Sequence, residues 1–378
     1  MCQGGYHVVA VITRKGVMGK GQSVPATMAG IARDCYSGAM NSPGERNQET
    51  VLSSEIPGLN ETQLEQGEGA ETEAGQVAIW PVRRRVRLPV ILFLVTALST
   101  FWAGACHFAP DHYLFSGTSM REVLLVGWTD GLVYMLAVIA ILLSHEMGHF
   151  LATVYYRIPA SYPMFLPFPL SPIGTLGAVI GMDGKQADRK EIFDIGIAGP
   201  LAGLVVAIPL LCIGIQQLDL TAATARGPWG LEMPLLIQKL LSVFEPEGFH
   251  YWSVAGENSI AFGQLNPLFM AGWVGLLITG LNMLPVSQLD GGHVVYTLAG
   301  RWGHWLSRGF MVFAVAYVVY SENYKLIIML ALVLLLGTDH PPTRDDSVKL
   351  GWFRTVLGLA CLLIPIYCLA PEIIIFRD

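Results

Sequence analysis

The chain has 378 residues, of which 53% are hydrophobic and only 14% are charged, and its formal net charge is −6. Soluble domains average about 25% charged residues. This composition, with a mean hydropathy of +0.50, therefore excludes an ordinary soluble protein and indicates a polytopic membrane protein in a lipid bilayer. A nucleic-acid partner would require a basic surface. The sequence shows no such surface, so we expect no nucleic-acid binding.

The first 78 residues differ in composition from the rest of the chain. Between residues 41 and 75, eight glutamates stand among Gly, Ser, Thr and Gln, and no apolar period runs through them. A segment of this kind buries too little apolar surface to offset the entropy lost on ordering. We therefore predict that residues 1–78 form a disordered acidic N-terminal region.

A cluster of arginines directly precedes the first long apolar run. Its members are Arg83, Arg84, Arg85 and Arg87. The positive-inside rule places such a cluster on the cytoplasmic side of a membrane. We therefore predict that residues 79–121 form a basic anchor, a first transmembrane helix and an outer loop, with the N-terminus in the cytoplasm. The chain would then be a multi-pass protein of the cell's inner or plasma membrane.

The apolar runs predict an all-α polytopic fold with about six to seven transmembrane helices. In chain order the predicted spans are 88–109, 122–151, 191–216, 264–287, 304–321, 324–338 and 350–370. Residues 217–262 are predicted to be a mixed outer loop. The apolar segment 158–187 is too rich in Pro and Gly for a continuous helix. It predicts a re-entrant loop or short hairpin that is covered by protein or lines a water-filled cavity.

The stretch Ser144-His145-Glu146-Met147-Gly148-His149 follows the most apolar part of the second predicted span. Residues four apart in a helix lie one turn apart on one face. His145 and His149 can therefore bind one Zn²⁺, while Glu146 can reach a water in the open coordination position. This is the HExxH arrangement of metalloproteases. Ionisable residues at the end of an apolar helix have an unfavourable free energy of insertion, so their presence indicates a function. The alternative interpretation is a buried hydrogen-bond cluster without a metal.

A third protein ligand is expected near the end of another long apolar span. Residues 282–293 read NMLPVSQLDGGH, and Asp290 stands there beside two glycines that let the backbone approach closely. Its predicted membrane depth matches that of His149. Two His, one carboxylate and a water form a catalytic zinc set. A plain turn is the alternative interpretation of Asp-Gly-Gly, but beside an HExxH motif we favour the ligand.

These motifs resemble those of the site-2 protease family of intramembrane zinc metalloproteases. The matching pieces are HEMGH at 145–149, N-x-x-P-x-x-x-L-D-G at 282–291, FDIGIAGPLAG at 193–203 and GTLGAVI at 174–180. The last piece is similar to the branch that includes plastid and cyanobacterial members. On this resemblance we delimit an intramembrane metalloprotease core at 122–300 and additional C-terminal transmembrane helices at 301–378.

The resemblance implies cleavage of membrane-spanning protein substrates within or near their spans, with one Zn²⁺ per chain. His145, His149 and Asp290 match the family's zinc ligands, and Glu146 matches its catalytic base. Asn282 matches a residue that helps to position the substrate or the oxyanion, with a polar helix-packing contact as the alternative. The segment 174–180 would pair with an unwound substrate by strand addition, or would serve as a structural cap over the site.

The function predicted from the sequence is therefore an intramembrane zinc metalloendopeptidase that acts in regulated intramembrane proteolysis. One alternative is a non-catalytic membrane zinc-binding or client-binding protein on the same scaffold. A transporter is another, since intramembrane ionisable residues also mark ion paths. We expect neither the PDZ domain of many bacterial members nor a CBS pair. Gly199 and Gly203 are predicted to serve close helix packing rather than chemistry, and His293 is expected to support the site without binding metal.

Overall fold

The computed structural model describes residues 86–110, 119–221, 229–250, 258–286, 288–320, 343–370 and 374–376. The predicted disordered region 1–78 and the predicted span 324–338 lie outside the described residues, so both stay predictions. The chain divides into two units, Met1–Arg83 and Arg84–Asp378. Every described residue belongs to the second unit.

Most of the described residues are helical. The helices are α1 (Arg87–Ala105), α2 (Met120–Tyr155), α3 (Arg189–Gln216), α4 (Leu235–Phe244), α5 (Pro267–Asn282), α6 (Asp290–Ala299), α7 (Gly303–Tyr320), α8 (Trp352–Cys361) and α9 (Ile364–Cys368). The strands are β1 (Met164–Phe168), β2 (Gly174–Val179), β3 (Trp229–Glu232), β4 (Ser259–Ala261) and β5 (Ile374–Phe376). Short 3₁₀ turns lie at Gly184–Gln186, Phe262–Gln264 and Gly300–Trp302.

Three of the described helices are long and apolar enough to cross a membrane, namely Arg87–Ala105, Arg121–Tyr155 and Arg189–Gln216. They coincide with the first three predicted spans. The predicted spans at 264–287 and 350–370 contain shorter apolar helices, Pro267–Asn282 and Trp352–Cys368. The predicted span at 304–321 coincides with α7. A membrane protein is therefore supported, while the number of six to seven spans stays a prediction.

Helices α2, α3 and α5 pack closely because glycines face the neighbouring helix. A Cβ added to Gly148 of α2 would lie 2.8 Å from the carbonyl carbon of Ala198 in α3. One added to Gly275 of α5 would lie 2.8 Å from the Cβ of Ala207 in α3. Small residues are what allow membrane helices to approach this closely. The three helices that carry the sequence motifs are thus held against one another.

Helix α3 begins at a capping box. Oδ1 of Asp188 accepts a hydrogen bond from the N–H of Glu191 at 2.9 Å, and Oε2 of Glu191 accepts one from the N–H of Asp188 at 2.7 Å. These bonds satisfy backbone donors that a helix start would otherwise leave free. The cap fixes where α3 begins, and it therefore contributes to which of its residues face α2.

Strands β1 and β2 form an antiparallel hairpin within the segment 158–187. Met164 pairs with Val179 and Phe168 with Gly174, with a register shift between Phe165 and Pro167, where proline lacks the N–H that a regular ladder requires. This agrees with the short hairpin predicted for the segment, while re-entry into a membrane stays a prediction.

The hairpin is attached to the first two helices through its turn. Ser99 of α1 donates a hydrogen bond from Oγ to the carbonyl oxygen of Gly174 at 2.5 Å, and Tyr134 of α2 donates one from its hydroxyl to the carbonyl oxygen of Ile173 at 2.8 Å. Gly174 has φ +78°, and a Cβ there would lie 2.7 Å from the Cα of Thr100. Only glycine fits at this position, since it combines positive φ with close backbone approach.

A second, three-stranded sheet was not predicted, so the all-α prediction was incomplete. Its strand order is β4-β3-β5, and both pairings are antiparallel, with Gly230 opposite Ala261 on one side and opposite Ile375 on the other. Two of these strands and helix α4 lie in the region 217–262 that was predicted to be a mixed loop. Strands of three or four residues are too short to show the alternation on which strand prediction depends.

Candidate metal centre

His145, His149 and Asp290 meet at one point where α2 faces the start of α6. His145 Nε2 lies 3.2 Å from Asp290 Oδ2, His149 Nε2 lies 3.3 Å from Asp290 Oδ1, and the two Nε2 atoms lie 3.2 Å apart. Among the described residues this is the group of His, Cys, Asp and Glu whose ligand atoms could hold a metal ion. Asp290 is therefore brought to the HExxH motif across 141 residues of sequence.

The spacing of these atoms fits a tetrahedral zinc site. Zinc bonds to His nitrogen and carboxylate oxygen are about 2.0–2.2 Å long, so ligand atoms at tetrahedral angles lie about 3.3–3.5 Å apart. The three observed separations of 3.2–3.3 Å fall close to this range. The family resemblance implies a zinc ion, and His145, His149 and Asp290 could hold one with little movement of their side chains.

The orientation of His149 is set by the backbone of α3. Its Nδ1 lies 2.8 Å from the carbonyl oxygen of Ile195, and both partners are buried. A carbonyl can only accept, so Nδ1 carries the proton, and Nε2 is the ring nitrogen that could bind a metal. Metal-binding histidines are commonly fixed in this way by a partner of the second ring nitrogen. The contact supports ligation by Nε2.

Buried polar atoms at the site give a second test of the fit. Glu146 and His145 are each only 3% exposed. Glu146 Oε2 is buried and has no hydrogen-bond partner, and Asp290 Oδ2 is buried with only the ring nitrogen of His145 near it, at 3.2 Å. A carboxylate oxygen left in this state is costly unless a cation or a hydrogen-bond donor faces it. A metal with a water molecule would satisfy both oxygens, so the chemistry of the donor set also fits.

The glycines of α3 lie against the two histidine rings. A Cβ added to Gly199 would overlap the imidazole ring of His149, and a Cβ added to Gly203 would lie 3.2 Å from Nδ1 of His145. These glycines do serve close packing, as predicted. The sequence did not show that they pack against the two histidine rings. They make room for the proposed zinc ligands, so they form part of the site.

The connection between α5 and α6 brings Asn282 and Asp290 to the same place. Asn282, the last residue of α5, has its Nδ2 3.4 Å from Nε2 of His145. Gly291 lies directly behind Asp290, and a Cβ there would meet the backbone of Met283. The first glycine of the Asp-Gly-Gly stretch is therefore needed for close approach, as the sequence suggested. His293 lies against Gly196 of α3, outside the group of potential ligands.

Helix α6 is also held at its C-terminal end, far from Asp290. Arg189 of α3 donates a hydrogen bond from Nε to the carbonyl oxygen of Thr297 at 2.7 Å. Tyr296 donates its hydroxyl to Asp346 at 2.9 Å. Burial and this hydrogen bond raise the pKa of Tyr296 to about 12, so its hydroxyl remains a donor at neutral pH. Both contacts restrict α6, and with it the position of Asp290.

Sequence reasoning missed the Ile195 carbonyl and the direct contact of Gly199 with His149. A backbone carbonyl leaves no signature in a sequence, because every residue carries one. The spacing of Gly199 and Gly203 did reveal a small-residue face on α3, since residues four apart share one side of a helix. It did not reveal that the face opposes His145 and His149.

Comparison with known proteins agrees with the motifs. The family model described as peptidase family M50 matches residues 133–320. A protein of Oryza sativa subsp. japonica named "Probable zinc metalloprotease EGY1, chloroplastic" is 30% identical over 317 residues, which is 79% of this chain and 52% of that protein. The Arabidopsis thaliana protein of the same name is 29% identical over 310 residues, 78% of this chain and 54% of that protein.

A shorter match agrees with the same family. The Arabidopsis thaliana protein "Probable zinc metalloprotease EGY2, chloroplastic" is 30% identical over 182 residues, 46% of this chain and 29% of that protein. The chain spans about half the length of the first two curated relatives. The range 133–320 matched by the family model contains His145, Glu146, His149 and Asp290. Residues 133–320 therefore form a peptidase family M50 domain, the domain of the site-2 proteases.

Proposed function

We propose that this protein is an intramembrane zinc metalloendopeptidase that hydrolyses peptide bonds of membrane-spanning proteins and so acts in regulated intramembrane proteolysis. The observation that carries this proposal is the buried meeting of His145, His149 and Asp290, with Glu146 beside them, on helices long enough to span a membrane. One Zn²⁺ per chain would be held by the two Nε2 atoms and the Asp290 carboxylate.

In this proposal a bound zinc ion supplies Lewis acidity, which polarises a water molecule and the peptide carbonyl. Glu146 accepts the proton of the attacking water on its carboxylate and passes it to the leaving amine nitrogen. Ile195 keeps the proton on Nδ1 of His149 throughout, which leaves Nε2 for the metal. Asn282, beside His145, would donate a hydrogen bond from its amide to the carbonyl oxygen of the substrate.

The depth of the site supports cleavage inside the bilayer. Arg189 and Lys190 begin α3, and Gly199, which touches His149, follows ten residues after Arg189. At 1.5 Å per residue the site lies about 15 Å from that charged end and about 7.5 Å from Asp194 on the same helix, a depth inside the ~30 Å hydrocarbon core. Arg157 follows His149 by eight residues, or about 12 Å. Both distances favour a substrate that is itself a membrane segment.

Strand β2 is the proposed place of substrate pairing. Among the described strands it pairs only with β1, so we place strand addition by the substrate at its second edge. A Cβ at Gly177 would lie 3.8 Å from Cγ2 of Ile278 in α5. Ile278 precedes Asn282 by four residues, so both lie on the same face of α5. A segment paired to β2 would thus run beside the helix face that leads to His145.

We expect Leu176→Ser in β2 to raise the KM for a membrane-spanning substrate while zinc content stays at the wild-type level. Leu176 is 55% exposed and would lose apolar contact with the substrate. Leu170→Ser is the matched control, because Leu170 is 61% exposed and lies in the turn between β1 and β2. Steady-state cleavage of a single-span substrate measures both variants. An unchanged KM for Leu176→Ser would reject substrate pairing at β2.

The proposed function as a whole is tested by metal dependence and substrate choice. We expect the protein purified in detergent to contain one zinc ion per chain and to cleave a single-span substrate. Treatment with a chelator should stop cleavage, and added Zn²⁺ should restore it, because a zinc ion bound by three protein ligands is in equilibrium with zinc in solution. A soluble peptide with the same cleavage sequence should be cut poorly. Stoichiometric zinc without cleavage of any substrate would favour a zinc-binding or client-binding protein instead.

The membrane in which the protein works is a separate part of the proposal. The arginine cluster before α1 favours a cytoplasmic N-terminus and the cell's own membrane. The relatives named above are chloroplastic proteins by name, which makes a chloroplast membrane the second location to test. Membrane fractionation, with protease protection of an N-terminal tag, distinguishes the two. A tag protected from added protease in sealed inside-out vesicles would reject the cytoplasmic N-terminus.

A further inference from the structure

The C-terminal helix α8 makes a specific ionic contact with the core, although it lies outside the family match. Arg354 donates hydrogen bonds from its guanidinium to both carboxylate oxygens of Asp194, each at 2.8 Å. The Arg354 side chain is 34% exposed and that of Asp194 is 22% exposed. A two-pronged arginine–carboxylate pair of this kind fixes direction as well as distance. The two helices are therefore held in one rotational setting.

A third element meets the same carboxylate. The hydroxyl of Tyr156 donates a hydrogen bond to Oδ2 of Asp194 at 2.5 Å. Tyr156 caps the C-terminal end of α2, seven residues after His149. Asp194 is thus held from α8 and from the end of the helix that carries the HExxH motif. The position of this turn of α3 is therefore set from both sides.

Apolar packing supports the same turn of α3. A Cβ added to Gly358 of α8 would lie 2.8 Å from the ring of Phe193. Phe193 and Cys361 belong to one buried cluster with Met283 and Val294, which lie near the two ends of the Asp290 stretch. Helix α8 therefore contacts α3 at two successive residues, Phe193 and Asp194. The next residue, Ile195, is the one whose carbonyl receives Nδ1–H of His149.

We propose that Arg354 is a positioning residue for the metal centre, which it serves by holding, through Asp194, the turn of α3 whose Ile195 carbonyl orients His149. This inference rests on the proposed zinc site. Without Arg354, the Asp194 carboxylate would lose its charged partner in a partly buried setting, which is costly. It would turn toward water and move the Ile195 carbonyl, and His149 would lose its fixed ring orientation.

The test compares zinc binding by Arg354 variants of the full-length protein in detergent. Zinc affinity is measured by competition with a chelator, and the ligand geometry by the visible absorption of the cobalt(II)-loaded protein. We expect Arg354→Ala to lower zinc affinity by up to about 10-fold, the low end of the range for removing a direct partner of a metal ligand, because Arg354 acts on that partner through Asp194, and to alter the cobalt spectrum. Arg354→Lys keeps the charge without the two-pronged geometry and should fall between Arg354→Ala and wild type.

Arg344→Ala is the matched control. Arg344 lies on the same C-terminal segment and pairs with Glu191 of the same helix α3 at 3.3 Å, but this contact does not adjoin Ile195. It should therefore lower thermal stability only slightly and leave zinc affinity and the cobalt spectrum at wild-type values.

Two results would overturn the proposal: wild-type affinity and spectrum in Arg354→Ala, or an equal loss in Arg344→Ala. If Arg354→Ala does not fold, the same two measurements on Arg354→Lys decide the question. Zinc binding by wild type with no effect of either Arg354 variant rejects the positioning role alone. A wild-type protein that binds no zinc rejects the proposed function, and the positioning role with it.

Discussion

We expect Glu146→Gln to abolish cleavage while the protein keeps its zinc. The side chain is 3% exposed, and its Oε2 has no hydrogen-bond partner, so it is available to take a proton from water. Glutamine has nearly the same shape but cannot accept that proton. General acid–base groups contribute about 10²- to 10⁴-fold to rates, and a loss of kcat in this range is expected. The measurements are zinc content by elemental analysis and initial rates on a single-span substrate.

Glu122→Gln provides the control for this experiment. Glu122 lies in the first turn of the same helix and is exposed, so the same chemical change there should leave the rate unchanged. Equal rates for wild type and Glu146→Gln would refute the assignment of Glu146 as the base. Loss of zinc from Glu146→Gln would instead mean that Glu146 binds the metal.

We expect Gly199→Ala to remove zinc from the protein and, with it, the activity. The added methyl group would overlap the imidazole ring of His149. Both α3 and α2 are packed on several sides, so overpacking would displace the ring rather than the helices. The loss of one of three ligands should lower zinc affinity by well over tenfold, more than the removal of an outer partner does. Chelator competition measures this loss, and circular dichroism reports whether the helices remain.

Gly309→Ala is the control, since no atom lies within 4 Å of a Cβ added there. Both substitutions replace glycine by alanine inside a helix, a change that favours the helix by about 1 kcal/mol on propensity alone. Helical content should therefore be maintained in both, and only Gly199→Ala should lose the metal. Stoichiometric zinc and normal activity in Gly199→Ala would contradict the observed contact with His149.

The proximity of His145 and His149 could be predicted because helical geometry relates sequence directly to space. Four residues make roughly one turn, so the positions of His145 and His149 on one face followed from their numbers alone. Asp290 could be linked to them only through the shared predicted depth and the family resemblance. The contacts that α3 makes through the Ile195 carbonyl and through Gly199 and Gly203 could not be predicted. The spacing of residues shows which of them share a face of a helix, but it does not show which helix packs against that face.

Other parts of the fold were harder to predict from the sequence because the helices and strands there are short. The apolar run at 264–287 contains a helix of 16 residues, Pro267–Asn282, which ends three residues before Pro285, a residue that interrupts helical hydrogen bonding. Hydropathy alone does not show where such a helix ends. The three-residue strands β4 and β5 likewise gave no period to detect, and β5 is paired with a strand more than 140 residues earlier in the chain.

The hydrogen bond that attaches the hairpin to Ser99 shows which residues belong to the packed core of this chain. Ser99 belongs to α1, ahead of residue 133 where the family match starts, and Arg354 follows residue 320 where it stops. A fragment cut at those limits would retain His145, Glu146, His149 and Asp290. It would nevertheless lose the hydrogen bond from Ser99 to the turn of the hairpin. It would also lose the contact of Arg354 with Asp194, next to the residue whose carbonyl orients His149. The portion matched by the family model is thus smaller than the portion that these contacts hold together.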